Sequence, residues 1–181
     1  MSEPERESME VDVLFVGAGP ATLASAYHLM KQVEEHNANC EKTGEAPMEP
    51  PVILVIEKAA GIGDHQLSGG VMNPRAIKEL MPDYIEQGFP IEQTCTKAYF
   101  WQFFRNFTVK LPSLFTPPFF QKKGYHVVSL SDVVKFLAEK CEEMGVEIYP
   151  GFAASEVLVE GDRVVGVRTG DMGIDKDGKP K

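Results

Sequence analysis

Two glycines and a carboxylate carry the chemistry that this sequence announces. The stretch Val11 to Thr22 reads VDVLFVGAGPAT: a short apolar run, the turn Gly17-Ala18-Gly19-Pro20, and at once a helical pattern. That order opens a dinucleotide-binding βαβ unit. Gly17 turns the chain, and Gly19 leaves out a Cβ where a pyrophosphate must come close. The helix expected from about Ala21 to Val33 carries Leu23, Ala26, Tyr27 and Met30 at helical spacing. Its N-terminus would offer unpaired N–H groups and a positive dipole end to phosphates. Thr22 stands where the pattern has its third glycine, a β-branched residue at a point where helix and strand should pack closely.

The elements that must hold this turn are two strands. Val11, Val13, Leu14, Phe15 and Val16 read as a buried strand, apolar enough for the parallel centre of a sheet covered on both faces. Pro51 to Glu57, PVILVIE, is a second such run and ends in a carboxylate, where the fold places an acid for the ribose hydroxyls. Glu57 lies 38 residues after Gly19, well beyond the roughly 20 of the pattern. His36 to Pro50, polar and rich in turn residues, therefore reads as an inserted surface loop. For Glu57 the competing reading is a solvated charge at a strand end.

With 181 residues the chain has room for one domain, or forms a piece of a larger one. Lys and Arg total 18 against 27 Asp and Glu, a formal charge of −9. No basic stripe is left to neutralise phosphates, which argues against a nucleic-acid partner. Residues 1–10 form an acidic tail with four glutamates and one arginine, unlike a secretory or transit peptide. No apolar run reaches the length of a membrane span, so a cytoplasmic chain is expected. Cys40, Cys95 and Cys141 are scattered, with no C-x-x-C. Three reduced thiols are expected, with Cys141 packed under a helix, and no disulfide, zinc or iron–sulfur site made by this chain alone.

Further along, Lys58 to Gly70 is a loop with four glycines, able to pass its backbone close to a flat ligand. Asn73-Pro74 opens a helix to about Leu80, which Met81-Pro82-Asp83 ends. Residues 99–120 hold most of the aromatic side chains and the single tryptophan. Partial alternation between Phe103 and Leu111 suits strands, and Pro112, Pro117 and Pro118 forbid a long helix. This segment packs against a neighbouring domain or forms a membrane-facing or quinone-facing surface. A helix reaches Met144, with Ser129 or Ser131 as its N-cap and Val133, Val134, Leu137, Cys141 and Met144 on one face, and stops at Gly145. Val146 to Tyr149 is a third strand returning to the sheet. Ser155 to Thr169 is a hairpin about Gly161-Asp162 whose valines alternate in and out, and a second turn is signalled at Asp177-Gly178.

Assembled, these residues resemble the N-terminal part of the electron transfer flavoprotein–ubiquinone oxidoreductases. The resemblance rests on VGAGPA from Val16, on VIEKAAGIGDHQLSGG from Val55 with its sequel NPRAIKELMPD, on the block Val127 to Val167, and on the tail Gly170 to Lys181. It implies an α/β fold, a Rossmann-like FAD-binding domain of the glutathione-reductase type, here incomplete over residues 11–181, with an appended β-hairpin region. It implies an oxidoreductase of electron transport: a flavoprotein that takes electrons from electron transfer flavoprotein and reduces ubiquinone. A 4Fe-4S cluster assists in the complete protein and is not ligated by this chain. Gly17, Ala18, Gly19, Pro20, Ala21 and Thr22 would hold the FAD pyrophosphate, and Glu57 the ribose, with Lys58 beside it.

Leu67, Ser68 and Gly69 match the loop that approaches the flavin, and Ala154 to Val157 match the hairpin start that meets the adenine through its backbone. No catalytic acid or base is implied, since electrons move through the cofactors, and His65 reads as a loop-stabilising residue. The expected place is peripheral, at the inner face of the membrane. Thr22, the long 36–50 loop and the short chain depart from the family. Two other readings are another FAD-dependent reductase or hydroxylase of this fold and an incomplete nucleotide-binding module without turnover; this fragment alone is expected to be inactive. A nicotinamide-dependent dehydrogenase fits least, because Lys58-Ala59-Ala60 and the glycine-rich loop suit a flavin site better.

Overall fold

The computed structural model describes residues 7–67, 69–111, 117 and 120–170, with the side chain of Glu41 left out. The chain divides into two compact units, one of residues up to His65 together with those from Leu137 onward, the other Gln66–Phe136.

The first unit is the expected βαβ arrangement. Strand β1 (Val13–Val16) runs parallel to β2 (Ile53–Glu57), with Val13 opposite Ile53 and Val16 opposite Ile56. Helix α1 (Pro20–Thr43) connects them. Strand β8 (Glu147–Pro150) lies parallel on the other side of β2, so the order is β1-β2-β8 and the third predicted strand does return to the sheet. Ile53 to Ile56 are all buried, as a central parallel strand requires. Strand β1 is not the buried strand that its composition predicts. Among the described residues it pairs with β2 alone, Val13 to Phe15 are half-buried, and Val16 is 56% exposed.

Helix α1 also corrects the sequence reading, because it continues ten residues past Val33. It stops at Gly44, whose left-handed φ of 75° lets its N–H donate to the Cys40 carbonyl. The insertion expected at 36–50 is therefore mostly helix, with irregular chain only between residues 44 and 52. His36 to Thr43 contain no Gly or Pro, and Cys40 is buried, which offsets the weak helix propensity of Asn37, Asn39 and Thr43. The asparagines that read as loop residues serve the loop from the helix: the Asn37 amide donates to the Met48 carbonyl and accepts from the Met48 N–H.

Leu23, Ala26, Met30 and Val33 of α1 are buried. So are Leu137, Ala138 and Cys141 on helix α3 (Leu130–Glu143), which belongs to this unit from Leu137 onward. The Cys141 thiol donates to the Leu23 carbonyl at 3.2 Å, and burial pushes it up to about 12. It is the packed, unreactive thiol that the sequence suggests. Gly145 ends α3 with φ 87°. The hairpin pairs β9 (Ala154–Glu160) with β10 (Arg163–Thr169) about Gly161, with a register shift between Val164 and Gly166. Its valines do not alternate between a buried and an open face: Val157, Val159, Val164 and Val165 are all exposed.

The second unit contains an antiparallel sheet, β3 (Gly70–Met72), β7 (His126–Val128) and β4 (Gln93–Thr94), with β7 in the middle. Helix α2 (Arg75–Leu80) follows β3; Pro74 is its N-cap, and Asn73, the cap the sequence predicts, stands one residue earlier and accepts the Arg75 N–H. Ile77, Met81, Tyr84, Phe89 and Phe136 are buried. Phe89 meets Tyr84 and Phe136 edge-on at ring separations of 5.4 and 5.3 Å. Ser129, and not Ser131, caps α3 by accepting the Asp132 N–H. The aromatic segment forms a two-stranded hairpin, β5 (Phe100–Phe103) with β6 (Thr108–Leu111). Pro112 and Pro118 lie outside the described residues, as does the turn expected at Asp177-Gly178.

Candidate functional site

The turn after β1 is built by backbone geometry that few residues permit. Gly17 takes φ 95° and donates its N–H to the Ile56 carbonyl, which ties the turn to β2. Gly19 has an ordinary φ of −83°, and a Cβ added there would meet nothing within 4 Å. Among the described residues, neither the backbone nor the packing asks for glycine at position 19. Helix α1 begins immediately afterward with no side chain capping it and Pro20 at its first position. The N–H groups of Ala21 and Thr22 thus stand at the positive end of a 24-residue helix without an intrahelical acceptor. An anion with several oxygens suits that arrangement.

Glu57 closes the site from β2. Its Oε2 accepts the Ala18 N–H at 2.8 Å and its Oε1 the Ala59 N–H at 2.9 Å. Burial by itself would raise this carboxyl, but the N–H groups of Ala59 and Ala18, the charge of His65 and the Lys58 N–H outweigh it and hold the group below its ordinary value. Glu57 is therefore ionised and oriented, with lone pairs remaining on both oxygens for hydroxyl donors. Ala18 is buried and its N–H is spent on Glu57, so it positions the acid and gives its N–H to no phosphate. Thr22 is half-buried on α1, and the helix accommodates it.

The structure brings Gly17 to Thr22 and Glu57 together at the ends of β1 and β2, with the exposed Lys58 next in line. Leu67 and Gly69 belong to the second unit, on the segment entering β3; Leu67 is exposed and Gly69 has φ 78°. Ser68 lies outside the described residues. Ala154 and Val157 lie on β9 opposite Thr169 and Val167, both exposed.

Two groupings are absent from the sequence-based expectations. His126, buried on β7, holds the Tyr84 hydroxyl on Nε2 at 2.7 Å and the Thr94 hydroxyl on Nδ1 at 3.1 Å. The cluster His36, Cys40 and Glu45 forms because α1 runs on past Val33; the H-x-x-x-C spacing on a helix face was its available sign.

No family model matches the chain. Comparison with curated proteins is decisive over its whole length. It is 44% identical over 99% of its residues to the mitochondrial electron transfer flavoprotein-ubiquinone oxidoreductase of Arabidopsis thaliana. The chain is a relative of one segment of these oxidoreductases. The Pseudomonas aeruginosa and human proteins of the same name are 42% and 39% identical over 98% of it. The chain spans only 26% to 30% of the length of the curated relatives it matches. Among solved structures, a geranylgeranyl bacteriochlorophyll reductase-like protein of Thermoplasma acidophilum superimposes on 88% of the chain with a TM-score of 0.58 at 20% identity, over 34% of its own length. The flavin-dependent brominase Bmp2 covers 89% of it with a TM-score of 0.56 at 20% identity, again over 34% of its own length. These structural similarities establish the fold alone, the Rossmann-like α/β architecture that the resemblance implies.

Proposed function

We propose that this chain is the dinucleotide-binding portion of an FAD-dependent oxidoreductase that passes electrons from electron transfer flavoprotein to ubiquinone. The observation that carries the reading is the clear space at Gly19 beside the uncapped α1 N-terminus, with the oriented carboxylate of Glu57 opposite. The residues present fit FAD. Gly19, Ala21 and Thr22 bind its pyrophosphate through backbone N–H groups, and Glu57 accepts from its ribose hydroxyls. Gly17, Ala18 and Pro20 set the shape of the turn, and Lys58 adds a cation at its rim. The resemblance assigns the flavin-approaching loop to Leu67, Ser68 and Gly69, and the adenine-meeting hairpin start to Ala154 to Val157. Bound FAD would supply the redox chemistry, since a flavin takes up and releases electrons in one- or two-electron steps. The chain's own part is binding and orientation, and it holds no proton for the reaction. A 4Fe-4S cluster, where the protein carries one, is held by residues outside this chain.

The partners follow from the same reading: electron transfer flavoprotein as donor, ubiquinone as acceptor, and a membrane surface approached peripherally from its inner, cytoplasmic face. Trp101, Phe103, Phe104 and Phe107 on the exposed β5–β6 hairpin form the membrane-facing patch. Among the described residues no helix is long and apolar enough to cross a membrane.

Titration of the chain with FAD, followed by flavin fluorescence, tests the binding role, with saturable quenching expected. No saturable binding, either to this chain or to a longer protein containing it, would overturn the reading. In the longer protein, quinone-dependent oxidation of reduced electron transfer flavoprotein tests the activity. FAD binding without that turnover moves the chain to another FAD-dependent reductase or hydroxylase of the same fold.

A further inference from the structure

At the far end of α1, Cys40 Sγ lies 3.4 Å from Nε2 of His36, one helical turn earlier. Glu45 follows Gly44, the left-handed residue that ends the helix. One donor atom from each of His36, Cys40 and Glu45 falls within 4.8 Å of the others. We infer that these three side chains form a site for a divalent transition-metal ion, and that zinc is the ion their donors suit best.

The Cys40–His36 pair suits that ion before any movement. A tetrahedral zinc holds sulfur at about 2.3 Å and imidazole nitrogen at about 2.0 to 2.1 Å, which separates the two ligand atoms by about 3.5 Å. The Cys40–His36 distance is already that edge. One thiolate, one imidazole and one carboxylate match the mixed preference of zinc, whereas magnesium and calcium favour oxygen alone. The exposed Glu45 would swing in as the third ligand, and a water would complete the tetrahedral set.

The surroundings hold the donors in place. Asn37 clamps the Met48 backbone through both ends of its amide, whereas the hydrogen bond that the Cys40 thiol donates to the Ala46 carbonyl at 3.5 Å is given up on binding. The clamp fastens the returning loop to the helix face that carries His36 and Cys40, which lowers the ordering cost of binding. The C-terminal end of a helix also favours a cation. On binding, the Cys40 thiol gives its proton to solvent and its sulfur forms the metal bond, with no change of oxidation state. The ion would pin the α1–β2 connection, a role independent of what binds at Gly19 and Glu57.

Cobalt(II) titration of the purified chain, kept reduced, is the test. The folded chain should develop a near-ultraviolet thiolate-to-cobalt charge-transfer band together with visible bands of tetrahedral intensity, and zinc should abolish both. Zinc should also raise the melting temperature. Cys95→Ser should leave the band intact and Cys40→Ser should remove it. His36→Ala and the surface change Glu45→Gln should each weaken binding by about tenfold or more, and they decide the matter should Cys40→Ser fail to fold. A folded chain with no charge-transfer band would leave only a thiol–imidazole hydrogen bond at this place and overturn the inference. A band of equal strength in His36→Ala and Glu45→Gln would do the same.

Discussion

The Ala18 N–H donates to Oε2 of Glu57 at 2.8 Å, joining residues 39 positions apart. The acid that ends β2 thereby grips the turn that leaves β1. A cofactor arriving at this turn finds the carboxylate already aimed, and little reorganisation is needed on binding. Glu57→Ala should weaken FAD binding by roughly 1.5 to 3 kcal/mol, the loss of a hydrogen bond to a charged group. It also strips an acceptor from the buried Ala18, so the melting temperature should fall as well. Flavin fluorescence titration and thermal melts followed by circular dichroism measure the two effects, and unchanged FAD retention would exclude Glu57 from the ribose.

The same carboxylate gives the unit an acid sensitivity of fixed sign. Glu57 titrates lower in the folded chain than its ordinary 4.5. Its contribution to stability is complete above that value and is lost as pH falls toward and through the folded pKa. Glu57→Ala should therefore lose less stability on acidification than the parent chain, which denaturation curves at several acid pH values would reveal.

Buried His126 acts higher on the pH scale. Burial first, and then the charge of Lys78, depress it below its ordinary 6.5, so the neutral ring is the folded form. Stability from this group is complete above about pH 6.5 and declines as pH drops and the unfolded chain takes up the proton first. His126→Phe should flatten the dependence of melting temperature on pH over that range. It should also cost about 1 to 3 kcal/mol, because the Tyr84 hydroxyl loses its partner.

Thr22→Gly should leave FAD binding intact or improve it by easing the contact between helix and strand, while costing up to about 1 kcal/mol in helix propensity. A large loss of affinity would instead mean that the threonine hydroxyl itself touches phosphate.

Replacing Trp101 and Phe104 with serine probes the aromatic hairpin. Both are about half exposed, and Phe104 stacks on Phe107 at 4.5 Å. In the longer protein, liposome association should weaken with the melting temperature kept. A fallen melting temperature with liposome binding kept would place the hairpin against another part of the protein.

The parts of this molecule that local chemistry dictates were legible before the structure. Gly17 had to turn the chain and Ile53 to Ile56 had to be buried; each does so. Long-range effects were hidden. Asn37 and Asn39 read as loop because their propensities are local, whereas the packing of Cys40 and the Asn37–Met48 clamp decide that α1 continues. The hairpin valines read as a buried face because alternation states which residues share a side without saying that anything covers it. The partners of His126 come from residues 42 and 32 positions away, beyond any spacing rule.

Strand β1 carries a consequence for how such a chain is made. Val13–Val16 is four apolar residues without charge or proline, and among the described residues one margin of it has no neighbour. A free row of N–H and C=O groups on so apolar a strand is a template on which another copy can lay itself, prolonging one molecule's sheet into the next. Growth of that kind rises with concentration, whereas closure by a strand of the same polypeptide does not. Crowded synthesis of the chain on its own thus favours self-association through this edge, and dilution or a co-produced complementary strand opposes it.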